Sequence, residues 1–302
     1  MIAAAASLVV MLALPATGGG TDPQAPRPIE TTARITVGGV ERSYQLVVPE
    51  GAAPRAPLVV VLHGRLGSAA QVRRSSGFDD EVKKRGAIAL YPEGIDRRWN
   101  DLRQVTLKPE QRFAGADDVG FILAVIDKVI AEGKVDAGRV YVVGHSNGGF
   151  LALTLACTHA ERFAGVGVVA ATLPKTECAP SRALPIMIFH GTKDPLVPFD
   201  GGGVGWKGAR GFVRSNAETA QVFAEKAGCQ PPVRRPPIDH DPKDGTKVVV
   251  EDRVCSAAPV VNVIVEGGGH GWPGRPPPLP DGTREIDATA WLATFFLDGK
   301  LP

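Results

Sequence analysis

Val140-Tyr141-Val142-Val143-Gly144-His145-Ser146-Asn147-Gly148-Gly149-Phe150 is the stretch that decides how this chain folds. Four apolar residues read as a buried strand, and Phe150 to Cys157 continue as an apolar helix. A strand that runs at once into a helix needs a sharp turn, whose central residue is strained and whose neighbours must be small. Gly144 and Gly148 supply the small neighbours, in a G-x-S-x-G spacing around Ser146. Such a turn lifts the serine hydroxyl to the N-terminus of the helix beginning near Asn147, where free backbone N–H groups stabilise developing negative charge. Alone, the pattern also fits a tight glycine turn with a solvent-facing serine. Its place between a strand and a helix, and two segments further along the chain, favour the chemical reading.

The first of those segments is Pro185 to Phe189, a strand opening into His190-Gly191-Thr192-Lys193-Asp194-Pro195. Asp194 stands on a turn just past that strand, where a carboxylate can orient a histidine. The second is Val260 to Val265, leading to Glu266-Gly267-Gly268-Gly269-His270-Gly271-Trp272-Pro273-Gly274. A histidine between glycines on a loop after the last core strand suits a general base. Ser146, Asp194 and His270 thus follow the chain order serine, acid, histidine. Upstream, Pro57 to Leu62 is a continuous apolar run, as in a strand buried on both faces, and ends in His63-Gly64-Arg65. The Arg65 N–H is the expected second donor to an oxyanion, with the Asn147 N–H as the first.

Around these landmarks the pattern alternates strands and helices and predicts an α/β fold. Ala33 to Val37 and Ser43 to Val48 form a hairpin, Ala69 to Arg85 a helix, and Ala87 to Tyr91 a strand. Asp117 and Asp118 cap a helix over Phe121 to Ile130, and Phe163 to Ala170 is a further strand. Ala217 to Ala227 is helical, Pro231 to Gly245 a proline-rich surface loop that includes His240, Lys247 to Val254 a strand, and Ile286 to Leu297 a closing helix. Trp99, in Arg97-Arg98-Trp99-Asn100-Asp101, and Trp272 lie on loops at the carboxyl side of the sheet and are candidates for an aromatic substrate wall or for packing.

The 302 residues, 44% hydrophobic, suffice for one large α/β domain, placed at 33–299. Net charge is +2 with no long basic run, so neither a nucleic-acid nor a membrane-surface partner is indicated. No metal site is expected, because oxygen and thiolate ligands lack the necessary spacing. Ile2 to Pro15, with Ala16-Thr17-Gly18 behind it, reads as a secretory signal over 1–18, and 19–32 as a flexible tether. The protein is therefore expected outside the cell or in the periplasm. Four cysteines, Cys157, Cys178, Cys229 and Cys255, suit an oxidising compartment. Three pairings are formally possible, and Cys157 with Cys178 and Cys229 with Cys255 close the short loops.

The combination of Leu62-His63-Gly64, Arg98-Trp99-Asn100-Asp101, Gly144-His145-Ser146-Asn147-Gly148-Gly149, His190-Gly191-Thr192-Lys193-Asp194 and Gly269-His270-Gly271-Trp272-Pro273-Gly274 resembles the α/β-hydrolase fold. Within it, the likeness is to secreted esterases grouped with polyhydroxybutyrate depolymerases and feruloyl or acetylxylan esterases, and runs from about Ile35 to Phe296. The resemblance implies a mostly parallel central sheet with helices on both faces, a Ser146, Asp194, His270 triad, no cofactor, and cleavage of carboxylic esters. Aryl or feruloyl, acetyl and short hydroxyalkanoate esters are all compatible substrates. Soluble esters are expected to be preferred over polyester, since no Ser/Thr-rich linker or second domain accompanies the catalytic pattern. Amide or thioester cleavage, polymer hydrolysis and a non-catalytic binding protein on the same fold are the alternatives.

Overall fold

In a computed structural model, the chain is described over residues 29–109, 115–275 and 282–302. The 1–18 signal and most of the tether lie outside the described residues. Its elements are, in order, β1 (Ile29–Val37), β2 (Val40–Val48), β3 (Ala56–Leu62), α1 (Ala69–Ser76), α2 (Phe78–Arg85) and β4 (Ile88–Pro92). There follow α3 (Asp118–Ala131), β5 (Val135–His145), α4 (Asn147–Thr158), β6 (Gly165–Val169), β7 (Ile186–Gly191), β8 (Gly202–Gly203) and β9 (Phe212–Val213). The last are α5 (Asn216–Lys226), β10 (Val233–Arg234), β11 (Lys247–Asp252), β12 (Val260–Glu266) and α6 (Ala288–Leu297).

Ten strands form one sheet in the order β1-β2-β4-β3-β5-β6-β7-β12-β11-β10. The six from β4 to β12 are parallel, and antiparallel pairs close both edges. Every residue of β3, β4, β6 and β7 is buried, as apolar runs covered on both faces require. The two-residue period divides β3 between two cores: Leu58, Val60 and Leu62 belong to the core that also holds residues of α3, α4 and α5, while Val59 and Val61 belong to the one that holds residues of α1, α2 and α6. Residues 147 to 157 of α4 are all buried, which is why that helix is apolar all round. β3 is where the strand order reverses, so the carboxyl ends of β3 and β5 open a crevice at a topological switch point.

Several boundaries depart from the sequence reading. β1 begins at Ile29, so residues 29 to 32 belong to the sheet and not to the tether. The helix expected over Ala69 to Arg85 is two helices, because Gly77 adopts the left-handed conformation at φ 74° and ends the first one. The proline-rich excursion contributes an edge strand, β10, paired with β11. Asp117 caps α3 through the Gly120 N–H, but Asp118 instead forms a buried ion pair with Arg42, 2.6 Å long. Cys157–Cys178 and Cys229–Cys255 are disulfides, and they tie the end of α4 and the end of α5 to neighbouring loops.

Candidate active site

Ser146 closes β5 and caps α4 with φ 53° and ψ −117°, a conformation that a non-glycine residue rarely adopts. The turn is held by the Ser146 N–H, which donates to the Val169 carbonyl at the end of β6. It also depends on the absence of side chains: a Cβ on Gly144 would run into the Gly148 carbonyl, and one on Gly148 into the carbonyls of Leu62 and His63. The packing of α4 against the ends of β3 and β5 leaves no alternative course for the chain.

The structure brings Ser146, His270 and Asp194 into one hydrogen-bonded line. Ser146 Oγ lies 2.8 Å from His270 Nε2, and His270 Nδ1 lies 2.7 Å from Asp194 Oδ2. An ionised carboxylate only accepts, so Nδ1 carries the proton and Nε2 is left to accept from the serine hydroxyl. The other oxygen of Asp194 accepts from the N–H groups of Leu196 and Val197 at 2.8 and 2.9 Å. Burial by itself pushes the Asp194 carboxyl up, but hydrogen bonds from His190 and His270 and from the Val197 N–H outweigh it and hold the group well below the usual carboxylate range.

The β3 loop lies directly against Ser146: a Cβ on Gly64 would sit 3.4 Å from Ser146 Cβ. In that loop the Leu66 N–H donates to Arg97 O and the Gly67 N–H to Gly64 O. The Arg65 N–H between them has no protein acceptor among the described residues. Asn147 N–H belongs to the first turn of α4, where a helix provides no acceptor. Two unpaired donors therefore flank Ser146.

Behind these groups are supports that sequence reasoning did not identify. The Asn147 side chain is clamped to Trp99, accepting from its N–H at 2.7 Å and donating to its carbonyl at 3.0 Å, and it donates to Asp101 Oδ2 at 2.7 Å. Three histidines stand at the carboxyl ends of β3, β5 and β7. His63 Nδ1 donates to Gly64 O and its Nε2 accepts from the Gly94 N–H, joining the loops after β3 and β4. His145 Nε2 donates to the carbonyl of His270 at 2.9 Å. Although His145 retains some exposed surface, its ring is enclosed, and burial with the neighbouring His270 pushes its pKa down to about 4. His190 Nε2 donates to Val197 O at 3.0 Å and stands 3.4 Å from Asp194 Oδ2. The signal was present in the sequence as a histidine after each of three apolar runs, but which group each ring meets depends on the strand order.

Trp99 does not form a substrate wall. It is 2% exposed, and its indole N–H donates to His63 O at 2.8 Å, so it supports the β3 loop from beneath. Trp272 is half-buried, with its N–H on Thr289 Oγ1 and its ring 6.1 Å from that of His145. Among the described residues, no group of three or more His, Cys, Asp or Glu side chains is arranged to hold a metal ion, and no helix is long and apolar enough to cross a membrane.

A mostly parallel sheet with helices on both faces and a serine on the turn after its central strand defines an α/β-hydrolase fold. The acetyl xylan esterase from Aspergillus awamori shares that fold, with a TM-score of 0.56 over 80% of this chain and 94% of that one, at 16% identity. The chain belongs to the family described as Esterase PHB depolymerase, which matches residues 42–205. The inferred esterase NocK of Nocardia uniformis subsp. tsuyamanensis is 34% identical over 297 residues, covering 89% of this chain and 83% of its own. Feruloyl esterase C of Emericella nidulans is 27% identical over 239 residues, covering 77% of each chain. The protein is a carboxylic ester hydrolase.

Proposed function

We propose that this esterase works through an acyl-enzyme on Ser146. His270 Nε2 takes the serine proton as Oγ attacks the ester carbonyl, and the N–H groups of Arg65 and Asn147 receive the oxyanion. His270 then gives the proton to the departing alcohol, and a water molecule activated by the same imidazole releases the acid. Asp194 fixes the Nδ1–H tautomer and stabilises the imidazolium. Every proton is carried by residues of the chain, and no cofactor enters the scheme. The observation that carries this reading is the unbroken line Ser146 Oγ, His270, Asp194 with separations of 2.8 and 2.7 Å.

Relatives named as feruloyl and acetyl xylan esterases support aryl, feruloyl and acetyl esters as the substrate class, with short hydroxyalkanoate esters within reach of the same chemistry. The single sheet with a core on each face supports one catalytic domain, running from β1 to Gly299. The two disulfides and the apolar run Ile2 to Pro15 support export to the cell exterior or periplasm. Hydrolysis of 4-nitrophenyl acetate by wild type and Ser146→Ala tests the mechanism. A loss of about four orders of magnitude or more with an unchanged circular-dichroism spectrum is expected. Wild-type-like turnover in the variant would remove Ser146 from the mechanism.

A further inference from the structure

The loop after β3, the loop after β4 and the segment between β8 and β9 are rich in arginine, and among the described residues the carboxylates Glu93, Asp96 and Asp101 are already engaged. Arg65 follows Gly64 in the loop that touches the nucleophile. Arg97 and Arg98 come from the loop after β4, which is bonded to the first through Leu66 N–H and Arg97 O. Arg103 belongs to the same loop, and its guanidinium covers the Phe150 ring at 3.9 Å, one turn of helix beyond Ser146. Arg210 arrives from the segment between β8 and β9. That segment is fixed against the Arg103 loop by the Phe212 N–H bond to Thr106 Oγ1, and a Cβ on Gly211 would lie 2.7 Å from the Arg103 carbonyl.

Among the described residues, charge compensation is incomplete. Asp101 is used by Arg103 at 2.8 Å, and Asp96 faces Arg98 at 3.4 Å. Glu93 is turned back to the start of α1, where it accepts from the Ala69 N–H. Among the described residues, the Arg97 guanidinium donates to the backbone carbonyls of Leu66 and Gly67, which do not neutralise its charge. Among the described residues, Arg65 and Arg210 have neither a hydrogen-bond acceptor nor an ion pair for their guanidinium groups. A folded protein gathers unneutralised like charges at one place only against their mutual repulsion, and a bound anion relieves it.

We propose that the natural ester carries a carboxylate, received by Arg65 and Arg210 beside Ser146. This rests on the acyl-enzyme reading of Ser146 and adds to it the class of substrate. The guanidinium fork matches the two oxygens of a carboxylate in geometry as well as charge. Partial burial, and then repulsion from Arg210, Arg98 and Arg103, already holds the Arg65 guanidinium below its ordinary value, which is the condition an anionic group would reverse. The patch is local, since the whole chain has a net charge of only +2, and a long polyanion is not what it fits.

The test compares matched esters. On the acyl side, the 4-nitrophenyl monoester of adipate, whose carboxylate is too remote for ready anhydride formation, is set against 4-nitrophenyl hexanoate. On the alcohol side, 3-acetoxybenzoate is set against 3-acetoxybenzamide. The readout is the ratio of kcat/KM for the anionic over the neutral member, within one enzyme. In wild type at low salt at least one ratio should be about tenfold above its value for uncatalysed hydrolysis. Arg65→Gln and Arg210→Gln should each lower it about threefold to fivefold, Arg65→Lys should retain part of it, and 0.5 M NaCl should reduce it, as expected for exposed charges. Ratios at or below the uncatalysed value in both pairs, or ratios unchanged in the glutamine variants, would overturn the proposal.

Calorimetric titration of 3-acetoxybenzoate and 3-acetoxybenzamide onto Ser146→Ala gives a reading that needs no turnover. Tighter binding of the carboxylate, lost in Arg210→Gln, supports the site, and equal binding of the two refutes it. Failure of wild type to cleave any of the four esters would instead count against the acyl-enzyme mechanism.

Discussion

Replacing Asn147 by alanine should damage both stability and activity, because its side chain holds the loop after β4 against the Ser146 turn. The amide replaces a strand partner for Trp99, bonding to both its N–H and its carbonyl, and donates to Asp101 as well, all in a region where Trp99, Asn147 and Asp101 are 2%, 3% and 6% exposed. In Asn147→Ala, Asp101 keeps Arg103, but the two Trp99 backbone groups are left buried without partners. At about 1–3 kcal/mol for each orphaned group, tempered by local relaxation, the loss should be about 2–4 kcal/mol. With a urea slope near 3 kcal/mol/M, the unfolding midpoint should fall by about 1 M. Asn147→Asp is the sharper perturbation. It keeps an acceptor for the Trp99 N–H, but turns an oxygen toward the Trp99 carbonyl and places a second carboxylate beside Asp101. It should be less stable than the alanine variant at neutral pH and should recover on mild acidification. Urea titrations of the three proteins under non-reducing conditions, monitored by tryptophan fluorescence, decide it. A loss below about 1 kcal/mol for alanine, or an aspartate variant as stable as wild type, would refute the clamp.

Acid should weaken the fold in two stages. His145 is held at about 4 against 6.5 when unfolded, so between those values the unfolded chain binds the extra proton and stability falls with pH; at about 1.4 kcal/mol per pH unit this amounts to about 3 kcal/mol at most. Asp194, held low, adds a further loss only below the ordinary carboxylate value. His145→Gln should flatten the first stage in melting curves taken from pH 7 to 4, and an unaltered slope there would exclude His145 as its source. Gly144→Ala should yield little folded protein, since the added methyl meets backbone that cannot move aside; a soluble variant melting like wild type would disprove the close-packed turn. Each disulfide should contribute about 3 kcal/mol, and intact mass after alkylation should show no modified cysteine without prior reduction.

The parts of this molecule that could be read from sequence are those governed by short-range rules. The apolar runs that became β3, β5, β7 and β12 announce strands buried on both faces, and each ends at a loop that reaches the site. Ser146 is legible because a strand and a helix meeting at G-x-S-x-G leave the chain only one kind of turn. Asp194 and His270 are legible by their order along the chain, although their separations from Ser146 are set by how β7 and β12 lie beside one another. What was not legible depends on that same assembly. Trp99 looks like a pocket residue on a loop, and only the docking of that loop under Gly64 buries it. Gly77 lies inside a run of helical spacing, and its choice of the left-handed conformation follows from Phe78 turning into the core below α6. His145 and His190 are ordinary neighbours of the motifs until the sheet places one against the His270 carbonyl and the other against Asp194.

The central claim is that Ser146 is the nucleophile, activated through His270. Its most direct test is stoichiometric labelling by a fluorophosphonate, followed by peptide mass mapping and a parallel assay of ester hydrolysis. The account predicts one phosphonyl group per chain, located on Ser146, with activity lost in proportion to labelling and no comparable reaction in His270→Ala. Labelling at another residue, or full ester hydrolysis by protein fully modified at Ser146, would contradict it.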